Sequence, residues 1–149
     1  IIVINKWDLV ERETNTQRDF ERMIREKMTF NPYAPVVFIS IKENWNMEKL
    51  FNKIVEVDES YSYRFSTSIL NKILRDATAM NPPPSDKGKR LKIFYISQVT
   101  TRPPKFLIYV NDKELCHFSY MRYLENQIRK SFPFIGTPIT LEVRQRDEG

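Results

Sequence analysis

The 149 residues predict two unlike folded parts, an α/β segment followed by an α+β segment. Three observations carry this. Apolar runs rich in β-branched residues alternate with helix-periodic stretches up to residue 57. A polar stretch over 58–66 interrupts them and reads as a linker. From 67 to 149 the order is α-β-β-α-β, which predicts a three-stranded sheet with its two helices on one face.

In the first part, Ile1-Ile2-Val3-Ile4 predicts a strand buried on both faces, as in a parallel sheet. Phe20, Met23, Ile24 and Met28 recur at helical spacing, with Thr16 and Asp19 positioned as a capping box. Pro35 precedes a second buried-strand run, Val36-Val37-Phe38-Ile39-Ser40. Asn46 is positioned to cap a helix with apolar positions Met47, Leu50, Phe51, Ile54 and Val55. Two strands leave buried faces and an outer edge without partners, so residues 1–57 read as the last third of a larger domain, entered in its middle.

In the second part, Ser66 or Thr67 caps a helix with Leu70, Ile73, Leu74 and Ala77 on one face, and Asn81-Pro82-Pro83-Pro84 stops it. A basic loop over 85–90 leads into a strand over 91–99, and Pro103-Pro104 separates that strand from another over 106–110. Ser119 is positioned to cap a helix with Met121, Leu124 and Ile128 inward. Gly136-Thr137-Pro138 then turns into a last strand over 139–146.

Composition narrows the chemistry. With 41% hydrophobic and 29% charged residues the chain falls in the ordinary globular range. No apolar run is long enough to span a membrane, and the first residues lack a signal peptide's features, so a cytoplasmic protein without a membrane partner is expected. Cys116 is the only cysteine, which excludes an intrachain disulfide and the usual zinc frameworks. Cys116 and His117 are read as strand neighbours on opposite faces, so no metal site is expected. Only Gly88, Gly136 and Gly149 are present, so neither GxxxxGK[ST] nor GxGxxG can be written, and the chain alone is expected not to hydrolyse a nucleotide. The net charge of +5 is divided: residues 1–59 carry −2 and residues 60–149 carry +7. The second half is the one suited to a polyanion.

Asn5-Lys6-Trp7-Asp8 follows the first strand at its carboxyl end, where open α/β sheets bind ligands. A carboxylate there suits guanine, whose ring N1–H and exocyclic amino group are adjacent donors that Asp8 can accept together. Adenine presents an acceptor instead, and sites built on such bonds reject the wrong ligand by roughly 10⁴-fold. The Lys6 stem can cover the base, and the Asn5 amide can bridge base and neighbouring loops.

Asn-Lys-x-Asp after a buried strand resembles the fourth motif of the Ras-like GTPase superfamily. Ser40-Ile41-Lys42 at the end of the second strand resembles its fifth, whose backbone N–H meets the guanine carbonyl oxygen. The chain departs from that family at Ile41, where alanine is preferred, and at Asn44, where glycine is. In the second half, Arg64 to Leu74, Asn81-Pro82-Pro83-Pro84, Gly88-Lys89-Arg90-Leu91-Lys92-Ile93, Pro103-Pro104-Lys105-Phe106, Val110-Asn111-Asp112, His117-Phe118-Ser119-Tyr120, Tyr123-Leu124-Glu125-Asn126 and Gly136-Thr137-Pro138-Ile139 closely resemble the C-terminal KH-like domain of the EngA (Der) GTPases.

The resemblance implies that residues 1–57 are the C-terminal portion of a Ras-like P-loop GTPase domain and that 67–149 are a KH-like domain. It implies GTP or GDP as ligand, framed by Asn5, Lys6, Asp8, Ser40, Ile41 and Lys42, with Mg²⁺ only in a complete protein. It also implies a role in large-subunit ribosome assembly, with ribosomal RNA and the chain's own upstream GTPase domains as partners. No catalytic residue is named within the chain. The alternative is a non-enzymatic KH-like module that binds RNA or docks on a partner GTPase domain. An Era-like reading is disfavoured because no GXXG loop is present. Lys87, Lys89, Arg90, Lys92, Arg102 and Lys105 are the candidate RNA or partner contacts. Tyr95, Phe106, Tyr109, Tyr120 and Tyr123 read as core or interface residues rather than base-stacking platforms.

Overall fold

The computed structural model describes residues 1–146. They form two compact units, Ile1–Ser60 with Ile135–Thr137, and Tyr61–Phe134 with the residues from Pro138 on.

In the first unit, β1 (Ile2–Ile4) pairs in parallel with β2 (Val36–Phe38), and α1 (Thr16–Lys27) is the crossover that a parallel pair requires. The expected capping box does not form. Thr16 Oγ1 accepts from the Glu13 N–H at 2.8 Å, and Asp19 pairs with Arg22, so both side chains serve other partners. Asn46 is not a side-chain cap either: its φ of +63° differs from the extended backbone a cap needs, and its amide donates to the Phe38 carbonyl at 2.7 Å.

Burial in this unit is one-sided. Val37, Phe38 and Ile39 are buried, but Val3 is 42% exposed, because β1 has β2 as its only neighbour among the described residues. Along α2 (Met47–Ser62), Phe51, Ile54 and Val55 are exposed although their spacing predicted an inward face. With neither Gly nor Pro between 47 and 62, α2 runs to Ser62, so the first residues of the expected linker are helical. Ile135–Thr137 completes the unit: the Ile135 N–H donates to Ser60 Oγ at 3.0 Å and the Gly136 N–H to the Tyr33 carbonyl at 3.1 Å. Gly136 has φ +61°, and a Cβ there would lie 2.7 Å from Val57 Cγ2, so only glycine fits without displacement.

The second unit opens with α3 (Thr67–Met80), capped by Ser66, whose hydroxyl accepts from the Ile69 N–H. A two-residue hairpin joins β3 (Ser85–Asp86) to β4 (Lys89–Arg90) through Lys87 and Gly88, both at positive φ as a tight hairpin turn demands. Then come β5 (Ile93–Thr100), β6 (Lys105–Val110), α4 (Phe118–Ser131) and β7 (Thr140–Gln145). The sheet order is β5-β6-β7, antiparallel and then parallel. Leu70, Leu74 and Ala77 of α3 join Tyr120, Leu124 and Ile128 of α4 and Ile96, Phe106, Ile108 and Val110 of the sheet in one core. Both helices therefore cover the same sheet face.

Two expectations change here. Helix α4 starts before Ser119, with His117 at the cap position, so Ser119 lies inside the first turn and Tyr120 takes a buried place. Cys116 and His117 lie between the short turn Lys113–Leu115 and α4, not on a strand. Burial, with Asp112 adding to it, pushes the Cys116 thiol up to about 11. The phenols of Tyr120 and Tyr123 donate to the carbonyls of Asn81 and Ala77 at 2.8 and 2.7 Å, tying α4 to the end of α3, where the Ala77 carbonyl also takes the Asn81 N–H. Among the described residues, no helix is long and apolar enough to cross a membrane.

Candidate functional site

The turn after β1 is shaped by what it buries. Lys6 adopts a left-handed conformation, φ 61° and ψ 32°, which bends the chain into the short 3-10 turn Trp7–Leu9. Trp7 is 2% exposed, edge-on to Phe20 at 5.2 Å and tilted on Phe38 at 4.5 Å, and its N–H donates to the Ile39 carbonyl. Sequence reasoning had given this residue no role. It is the pin that fixes Asn5 and Asp8 on either side of it.

The segment after β2 is brought to the same place. Ser40 is buried, and its hydroxyl donates to Asp8 Oδ1 at 2.5 Å while accepting from the Glu43 N–H at 3.2 Å. The Ile41 N–H donates to Asn5 Oδ1 at 3.2 Å. Asn5, Asp8, Ser40 and Ile41, 32 to 36 positions apart along each bond, thus form one cluster. Lys42 is exposed and within 3.7 Å of Glu43.

The turn over 40–45 closes on itself through paired bonds between Ser40 and Trp45, Ser40 N to Trp45 O at 3.2 Å and the reverse at 2.9 Å. The Arg12 guanidinium lies over the Trp45 ring at 5.3 Å. Asn44, one of the two departures from the resembled family, has φ 48°, a backbone region that glycine enters freely and asparagine tolerates. Ile41, the other, is 62% exposed, so its side chain points outward rather than into the cluster.

Electrostatics favour a charged Asp8. The hydrogen bond from Ser40 holds its carboxyl below the ordinary value; Lys42 and Arg12 act in the same direction, and partial desolvation opposes them. The arrangement presents an ionised Asp8 carboxylate, whose Oδ1 takes the Ser40 hydroxyl, and the Asn5 amide, whose Oδ1 takes the Ile41 N–H. An open groove of about 650 Å³ lies elsewhere, along the start of α2 between Asn44 and Glu56, and neither Asn5 nor Asp8 lines it.

The six candidate cations of the second unit do not form one patch. Lys87, Lys89, Arg90 and Lys92 belong to the β3–β4 hairpin and the entry to β5. Arg90 and Lys92 line a concavity with Arg75 of α3. Arg102 and Lys105 lie at the other end of β5, across its eight residues. The Arg102 guanidinium lies over Tyr61 at 6.0 Å, and Lys105 pairs with Glu142 at 2.6 Å. An extended strand of this length separates its two ends by roughly 25 Å.

The family model for the KH-domain-like C-terminal domain of EngA bacterial GTPases matches residues 64–144. A Finegoldia magna protein named GTPase Der is 55% identical over 146 residues, covering 98% of this chain and 33% of its own length. A Streptococcus pneumoniae protein of the same name is 51% identical over 146 residues, 98% of this chain and 34% of its own. The chain thus spans about a third of the length of these relatives.

Proposed function

Since the chain belongs to the EngA family of bacterial GTPases through its KH-domain-like region, we propose that residues 1–57 are the guanine-recognition end of a P-loop GTPase domain. Asp8 accepts from the two donors of guanine, the Ile41 N–H passes from Asn5 Oδ1 to the guanine carbonyl when nucleotide binds, the freed Asn5 amide meets the base edge, and the Lys6 and Lys42 stems flank it. GTP or GDP is the ligand. Phosphate and Mg²⁺ contacts, and the hydrolytic step, belong to segments upstream in the complete protein. The observation that carries this reading is the bond between Ser40 and Asp8, which holds the carboxylate ionised beside Asn5.

The complete protein acts in the cytoplasm on assembly of the large ribosomal subunit. Its KH-like part docks on ribosomal RNA and on the protein's own GTPase domains. The test is a titration of the complete gene product with GDP and ADP. Asp8→Asn should cost guanine affinity by at least about tenfold, by loss of a charge-assisted pair, while ADP binding stays equally weak. Equal affinity for GDP and ADP in the unsubstituted protein would sink the assignment.

A second reading is favoured by one observation, that the second unit closes a continuous core of its own. On that reading the KH-like domain is a stand-alone docking module for RNA, with charge supplied by the β3–β4 hairpin. Salt dependence of RNA binding tests it, because phosphate docking weakens steeply with salt.

A further inference from the structure

The sheet of the second unit has a face that the helices do not cover. Along β6, Phe106, Ile108 and Val110 enter the core, so Lys105, Leu107 and Tyr109 take the opposite face, where Leu107 is buried and Lys105 and Tyr109 are half-buried. Tyr95 of β5 and Arg144 of β7 stand directly across from Tyr109 on either side. Tyr95 and Tyr109, which the sequence alone reads as core or interface residues, are half-buried on this face, and their rings stack with centroids 4.2 Å apart and planes 18° from parallel. The guanidinium of Arg146 lies over Tyr95, 5.8 Å from its centroid.

The basic hairpin is tied to this same end of the sheet. Asn111, the residue after β6, donates its amide to the Arg90 carbonyl at 3.0 Å and accepts from the Lys92 N–H at 2.8 Å. Lys113 approaches the end of β7, its N–H directed at Gln145. Among the described residues this end carries Lys87, Lys89, Arg90, Lys92, Lys113, Arg144 and Arg146 against Asp86, Asp112 and Glu114. The Asp112 carboxylate is engaged in capping the Glu114 N–H.

We propose that this face binds single-stranded RNA, bases adding to the Tyr95–Tyr109 column and phosphates running over Arg144, Arg146 and the hairpin. The proposal rests on the RNA-docking reading of the KH-like domain and assigns it a surface. Unpaired bases stack on aromatic rings and on guanidinium planes whatever their sequence, and the surrounding excess of positive charge holds the backbone. A duplex offers the phosphates but no free base face. A purely apolar partner would not match the positive excess of this end.

The experiment uses the 149-residue chain and a short, unstructured, labelled RNA, with anisotropy measured across salt concentrations. Arg144→Gln with Arg146→Gln should weaken binding about tenfold and reduce the log–log salt slope by about 1.4, the value for two phosphate contacts on a single strand. Tyr95→Leu with Tyr109→Leu keeps apolar cover on the sheet and should weaken single-strand binding about tenfold with the slope unchanged, and leave duplex binding as it was. Circular dichroism checks the fold, and if the tyrosine variant melts early the exposed arginine pair decides the matter. If both double variants bind as the parent does while Lys87→Gln with Lys89→Gln loses affinity, RNA docking stands and this face is the wrong surface. If the unsubstituted chain binds no RNA, or only the complete protein's GTPase domains bind here, both the surface and the RNA reading fall.

Discussion

The two units of this chain solve the burial problem differently. The second closes its core: Phe106 and Phe134 are wholly buried, and helices, sheet and aromatic cluster share one apolar interior. The first has two three-residue strands, buries Trp7 and β2, and leaves Val3, Phe51, Ile54 and Val55 in the open. Its order comes instead from polar ties around the β1 and β2 termini, Asn5 to Ile41, Asp8 to Ser40 and Asn46 to Phe38. The contrast teaches that a site can be locally well determined by hydrogen bonds where much of the surrounding apolar surface stays exposed.

Deleting a core ring should separate the units most. Phe106→Ala removes a side chain with no exposed surface and should destabilise the second unit by about 3–5 kcal/mol, whereas Phe51→Ala, at 60% exposure on α2, should stay within about 0.5 kcal/mol. Denaturant unfolding followed by far-ultraviolet circular dichroism and by amide exchange resolves both. Equal losses would mean that the open face of α2 is buried in solution.

A smaller effect is expected at Gly136. Replacement by alanine forces a side chain into positive φ and within 2.7 Å of Val57, and should cost about 1–3 kcal/mol. Trp7 and Trp45, the only tryptophans, both lie in the first unit, so their fluorescence reads this loss directly.

The finest test concerns charge. Asp8 is held below its ordinary carboxyl value of 3.8, so its contribution to the folded state is complete above that value and is lost as pH falls through the lowered folded value. Removing the principal cause in Ser40→Ala should raise the Asp8 carboxyl toward the ordinary value, read by the NMR titration of its carboxyl carbon. An unchanged titration would mean that Lys42 and Arg12, not Ser40, hold the charge.

Much of this was legible in the residues. The β-branched runs, the helical spacing of Phe20, Ile24, Leu70, Leu74, Leu124 and Ile128, and the glycine turns announce themselves because secondary structure has fixed periods. The KH-like resemblance over the second half matches the family found for residues 64–144. The caps were less legible. Thr16, Asn46 and Ser119 all have the right chemistry for a cap, yet each was outcompeted: by the Glu13 N–H, by the Phe38 carbonyl, and by an earlier helix start at Phe118.

What the sequence alone determined was therefore the alternation of elements, the division of charge between the halves, and the residue types available at the ends of β1 and β2. Only the tertiary structure decided which of them meet. Parallel pairing brings Ser40 to Asp8 across 32 positions, and one extended strand carries Arg102 and Lys105 away from the hairpin cations. The physical reason is range: periodicity and propensity act over a few residues, whereas strand pairing joins segments whose separation along the chain says nothing of their distance in space.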